Sequence, residues 1–235
     1  KKYIYFICLL GLFFGMTSST ETVTYPSVTN TAFKSGETLR YRVTYGFMDA
    51  GEAILKVKTT SKKGNNRELL HVRGTGRTLG GFSAFYKVYD VYESYIDKKS
   101  MMPWYFVRDV DEGGYKINPK YKFHKHLDKV HKGTKDFKVS MGIQDMISSF
   151  YKARTLNFKG MKVGKVFSFK CFMDDEIYTL KIKYQGTEEI KIRKGKFKSY
   201  KFVPVVQTGR YFKSEDDVQF WVTAEIGRAS CRERV

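Results

Sequence analysis

The sequence is poor in the residues that divide or staple a chain. It has four prolines in 235 residues and no Pro/Gly-rich linker, so a split into independent units is not signalled. Its three cysteines exclude a disulfide framework: Cys8 and Cys231 lie in the terminal segments, and Cys171 is left alone between them. Continuous apolar runs are also lacking. The single one, Tyr3 to Phe14, is too short to span a bilayer. Acidic residues are outnumbered, 24 against 43 basic, for a formal net charge of +19. Without residues 1–19 and 224–235 the balance is 38 to 22, or +16. Such a charge attracts phospholipid head groups, lipopolysaccharide phosphates or sulfated glycans. Because the lysines are scattered along strands rather than grouped, a solvated lysine-rich surface accounts for them better than a dedicated anion site.

Aromatic residues are abundant at 16% of the chain, from 17 Tyr, 19 Phe and 2 Trp. Such rings suit a pleated, half-buried surface and argue against disorder. The start, Lys1-Lys2, the short apolar run and then Gly15-Met16-Thr17-Ser18-Ser19, has the form of a secretory signal peptide over 1–19. Cys8 lies inside the apolar run rather than at its end, so no lipid anchor is expected. An extended leader follows at 20–32, and a single β-rich domain at 33–223.

Within that domain, alternation with a period of two recurs. It is clearest at Leu39/Tyr41/Val43/Tyr45, Ala53/Leu55/Val57, Leu70/Val72/Gly74/Gly76 and Phe167/Phe169/Cys171/Met173. Ser61 to Asn66 reads as a loop, and Glu112-Gly113-Gly114 as a hairpin turn. Ile190 and Ile192 read as a strand separate from Tyr178–Tyr184. One helix is predicted over Ile143–Arg154, with Met146, Ile147, Phe150 and Tyr151 on the covered face and Asp145 as dipole partner or cap. The expected fold is mainly β: a curved antiparallel sheet or partial barrel with one packed α-helix.

Several segments in order resemble the bacterial domain of unknown function 3108 family. They are Phe33 to Tyr41, Gly46 to Ala53, Gly74 to Thr78, Asp90 to Asp97, Glu112 to Tyr115, Gln144-Asp145-Met146, Tyr151 to Arg154, Gly195-Lys196-Phe197, Pro204 and Phe220 to Thr223. The resemblance implies an exported envelope protein of mainly β structure and brings no activity with it. It stops at residue 223, where the family continues with an acidic turn and a closing pair of strands. Residues 224–235 instead resemble vector or adapter translation. This predicts a foreign tail that pairs with no strand and a domain missing its last strands.

Candidate chemistry is thin. His124 and His126, two apart on a strand, with His131 nearby, have zinc or copper spacing, but lysines surround them. Cys171 sits among apolar strand residues and lacks a positioned base. Glu93, Asp97, Asp111 and Glu112 could supply a hydrolytic carboxylate pair, and Gly74-x-Gly76 lacks the strand–turn–helix setting of a dinucleotide loop. The candidate ligand-binding set is Arg77, Asp90, Glu93, Ser94, Arg108, Tyr115 and Arg154. Its guanidiniums suit a phosphate or carboxylate, or alternatively a buried ion network between helix and sheet.

The functional expectation is a non-enzymatic envelope protein, periplasmic or outer-envelope associated, with no cofactor and no metal. Its ligand would be a lipid or glycolipid in an apolar groove, with peripheral membrane contact and no nucleic-acid partner. The alternative is a protein- or glycan-binding module with an envelope protein partner. A hydrolase using Glu93 or Asp90 comes third.

Overall fold

The structure is a computed structural model that describes residues 23–45, 48–192, 195–205, 219–224 and 230–234. The expected signal peptide over 1–19 lies outside the described residues. The fold is mainly β, with two antiparallel sheets and one main helix. The first sheet has the order β1-β2-β3-β4-β5-β7-β8-β9, with β6 on β5. Its strands are β1 Thr38–Tyr45, β2 Met48–Gly64, β3 Arg67–Thr78, β4 Tyr89–Asp97, β5 Pro103–Glu112, β6 Tyr115–Ile117, β7 Lys120–His124, β8 Lys129–Lys132 and β9 Lys135–Lys138. The second, in order, holds β10 Val166–Met173, β11 Glu176–Ile192, β12 Gly195–Pro204, β13 Gln219–Thr223 and β14 Ser230–Arg234. A short helix α1, Gly80–Phe85, follows β3, and α2 spans Met146–Arg154. The described strands form no closed barrel, so both sheets keep open edges.

Two strands run longer than the sequence pattern suggests. The expected loop at Ser61 to Asn66 is mostly strand: β2 continues to Gly64, with a register shift between Thr59 and Lys63. The chain turns only at Asn65-Asn66, both left-handed, which suits a two-residue hairpin. Ile190 and Ile192 belong to the same 17-residue β11 as Tyr178, again across a register shift, between Tyr184 and Gly186. A bulge moves side chains to the other face and breaks the alternation without ending the strand. The tail expected to pair with no strand does pair: β14 runs antiparallel to β13, from Gln219↔Arg234 to Val222↔Ser230.

The inner face of the first sheet is set by register. Val57 pairs with Val72 and Leu55 with Gly74, so odd residues of β2 and even residues of β3 share a face. Helix α2 lies on that face. A Cβ on Gly74 would meet the Ile147 side chain at 3.4 Å, so the bare backbone lets the helix approach closely. Ile147 and Tyr151 join Val57, Val72, Ile96, Phe106, Phe123 and Val130 in the main core. Each such side chain contributes about 1.5–3 kcal/mol through burial. The end of the extended leader packs on this core: Ala32 is buried beside Phe33, the first domain residue, whose ring meets Tyr151 edge-on at 4.7 Å.

The two sheets meet at β10. Gln144, just before α2, forms a parallel bridge with Cys171, through Gln144 N–H to Lys170 O (2.9 Å) and Phe172 N–H to Gln144 O (2.8 Å). Phe172 enters the main core beside Tyr121 and Phe137. Beyond this junction the second sheet has a smaller cluster of its own: Phe158, Tyr184, Phe202 and Val222, flanked by Phe167, Tyr200 and Phe220. Trp221 faces the other way, yet it too is buried and donates to Glu188.

Candidate functional site

The seven sequence-derived residues divide among several places. Ser94, fully buried on β4, donates to the Asp145 carboxylate at 2.6 Å. Asp145 is the N-cap of α2 and accepts from Ser148 N–H at 2.7 Å, while the Ser148 hydroxyl accepts from Asp145 N–H at 2.8 Å. This reciprocal capping box fixes the start of the helix. Burial pushes the Asp145 carboxyl up to about 6, against the pull of its Ser148 and Ser94 hydrogen bonds. At the other end of α2, Arg154 is buried and forms a two-pronged ion pair with Glu37, at 2.6 and 2.7 Å, and a hydrogen bond to Ala32 O at 3.3 Å. Phe33, Phe150 and Tyr151 surround its guanidinium. Ser94 and Arg154 thus tie helix, sheet and N-terminal segment together.

Arg77 points to the outer face. Glu52 pairs with Arg77 one step out of phase with the Ala53–Gly76 pair, so both charges lie on the side away from α2. Arg77 and Arg40 converge on the buried Glu52 carboxylate and hold it below the usual carboxylate range. Glu93 is also on the outer face, 2.6 Å from the His71 ring, which stacks on Tyr95. Asp90 is buried on the inner face and accepts from Asp111 N–H at 3.2 Å. Arg108 reaches across to Asp174 in the β10–β11 turn, linking the sheets. Tyr115 is exposed on the β5–β6 hairpin.

The histidines are placed differently from the sequence expectation. The strand ends at His124, and His126 lies in a 3-10 turn over Lys125–Leu127, so they do not share a strand face, although the His124 ring lies 6.1 Å from that of His126 and 6.2 Å from that of His131. His131 is held by Asp136 at 2.7 Å. Among the described residues no group of three His, Cys, Asp or Glu side chains could hold a metal. Cys171 is buried, and burial pushes its thiol up to about 11. In the same turn as His126, Lys125 is buried and donates to Pro103 O above the Trp104 ring. Desolvation brings its ammonium down to about 7.

An apolar depression with room for a ligand lies further along the inner face, beside α2 and two residues beyond Gly74 on β3. An open groove of about 290 Å³ is bounded by Val43, Gly51, Ala53, Gly76, Phe82 and Val88, with Arg77 and Glu52 in its floor strands. The floor is made by small residues: a Cβ at Gly76 would meet no atom within 4 Å, whereas the same face is filled at Gly74. Short helix α1 forms a wall through Phe82. A second depression, about 320 Å³, mixes apolar Val110 and Ile117 with Asp109, Asp111 and Lys116, and those charged side chains suit hydrocarbon less well. Sequence reading noted the glycines but missed Phe82, Val43 and Val88, whose convergence depends on α1 folding back. It also missed Glu37, the partner of Arg154, which lies 117 residues away in the chain.

A family model described as "Protein of unknown function (DUF3108)" matches residues 40–235. No curated protein matches the chain. Among solved structures, a DUF1089 family protein from Pseudomonas aeruginosa matches with 9% identity and a TM-score of 0.43, over 81% of this chain and 90% of that one.

Proposed function

Since the chain belongs to the DUF3108 family of proteins of unknown function, we propose that it is a non-enzymatic envelope protein that binds one lipid-like or glycolipid ligand. The observation that carries this reading is the apolar groove over Ala53 and Gly76. Its volume is near the lower end of small-molecule sites, and its side chains offer van der Waals contact rather than polar recognition. Export through a cleaved signal at 1–19 and a periplasmic or outer-envelope location belong to the same proposal, supported by the form of the N-terminal sequence. The alternative, a protein- or glycan-binding module, draws on the open edges at β1 and β9, which could take an added strand.

The test uses Gly76, where an added Cβ would meet no atom within 4 Å. Native mass spectrometry of the chain purified from its host envelope should show one added lipid-class mass. Gly76→Val should return the apo mass with an unchanged melting temperature. Only apo mass in the unaltered chain, together with no binding of fluorescent lipid, would sink the idea.

A further inference from the structure

The same end of the first sheet carries an apolar crest. The β1–β2 ends, α1 and the β5–β6 hairpin all lie there, because Gly51 pairs with Thr78 and Gly113 N–H bonds to Lys87 O. Phe85, at the end of α1, is 92% exposed. Around it Val43, Met48, Tyr86 and Tyr115 are exposed as well, and Phe82, one turn before Phe85, forms the groove wall. In water this is a cost with no return inside the fold: a phenylalanine, two tyrosines, a methionine and a valine project from one sheet end.

We propose that this crest is a bilayer-docking surface, with Phe85 entering the lipid interface of an anionic membrane. Phenylalanine beside tyrosines is interface chemistry, since each phenol puts its ring in an apolar zone and its hydroxyl at the head groups. Two ion pairs stand at this end: Arg42 with Asp49, and Lys116 with Asp111 at 3.2 Å. The crest can therefore meet lipid without stranding those charges. The chain carries +19, or +17 without residues 1–19 (41 basic against 24 acidic), which draws it to an anionic surface and repels a second copy of itself. Charge thus selects a membrane over a homodimer as occupant. The groove opens beside Phe82 in the same crest, so a docked molecule would face its lipid source, but docking does not depend on the groove being filled.

The experiment is vesicle partition with phosphatidylcholine vesicles, with and without phosphatidylglycerol. The chain should bind the anionic vesicles, and Phe85→Ser should weaken that binding about tenfold; at 92% exposure the substitution leaves the core untouched. Phe85→Trp should be quenched by brominated acyl chains, while Leu127→Trp, another exposed site, should not; the native Trp104 and Trp221 are buried. Gly76→Val should dock normally, so that failure of the groove reading and failure of this one are separate results. Three outcomes would overturn docking: Phe85→Ser binding as tightly as the unaltered chain, equal quenching at 85 and 127, or a dimer abolished by Phe85→Ser. Binding that vanishes in about 0.5 M salt whatever residue stands at 85 would also overturn it, in favour of lysine electrostatics alone.

Discussion

The first sheet and the second sheet solve the same problem with different means. The first has a helix and the N-terminal segment laid over one face, locked by buried polar ties from Ser94 to Asp145 and from Arg154 to Glu37, and a third tie, Lys125 to Pro103 O, holds the turn after β7 to β5. The second has a smaller aromatic cluster and leaves Val166, Ile177, Tyr178 and Leu180 exposed on its first hairpin. Its ion pair Lys196–Glu189 is on the surface, with both side chains exposed. Buried polar ties hold position because a lost partner leaves an unsolvated group behind, whereas surface pairs exchange with water at little cost. The first sheet is therefore the better scaffold for a fixed groove.

Breaking the Arg154 tie gives the largest expected effect. Glu37→Ala would leave a buried guanidinium without its carboxylate and should cost about 3–5 kcal/mol in urea unfolding. A loss below about 1 kcal/mol would mean that the buried pair does not hold the first sheet together.

Lys125→Met should sharpen the contrast through pH. Between about 7 and its ordinary value of 10.5, the folded chain has lost the Lys125 proton and the unfolded chain still holds it. Stability from this group therefore rises with pH across that window, by a few kcal/mol, and is flat below it. The methionine variant should lose this slope and be the more stable of the two near pH 7. Parallel slopes for the two chains, followed by thermal melts from pH 6 to 10, would contradict it.

Asp145→Ala removes the helix cap and strands the Ser94 hydroxyl, for about 2 kcal/mol at pH 7. The penalty has its own pH dependence. Because burial raises the folded pKa to about 6, the folded chain holds the Asp145 proton after the unfolded chain has released it. Stability from this group falls as pH rises from about 4 to 6, and the alanine variant should not show that fall. The smallest effect is expected in the second sheet. Glu189→Ala, at a pair whose side chains are both more than 60% exposed, should change stability by less than about 0.5 kcal/mol. A loss as large as that of Glu37→Ala would erase the distinction between the sheets.

Much of this architecture was legible from local pattern. Period-two alternation located the Leu39, Ala53, Leu70 and Phe167 strands, and the three-and-four spacing of Met146, Ile147, Phe150 and Tyr151 located α2. Asp145 as a cap was also readable, since capping is decided within four residues. Bulges hid the true length of β2 and β11, because one extra residue inverts the alternation. The candidate polar set was legible as residues but not as partners: which arginine meets Glu37, Glu52 or Asp174 depends on long-range register.

By itself, then, the sequence determined the strand-rich class, the helix and its cap, the buried setting of Cys171 and the basic charge, all properties of residue type and near-neighbour spacing. Tertiary structure alone decided that the strands divide into two sheets joined at β10, and that Arg77 faces away from the groove while Gly76 floors it. It also decided that Phe85 is left outside. Those outcomes turn on which strand pairs with which, and in what register, and one residue of register carries every side chain to the opposite face.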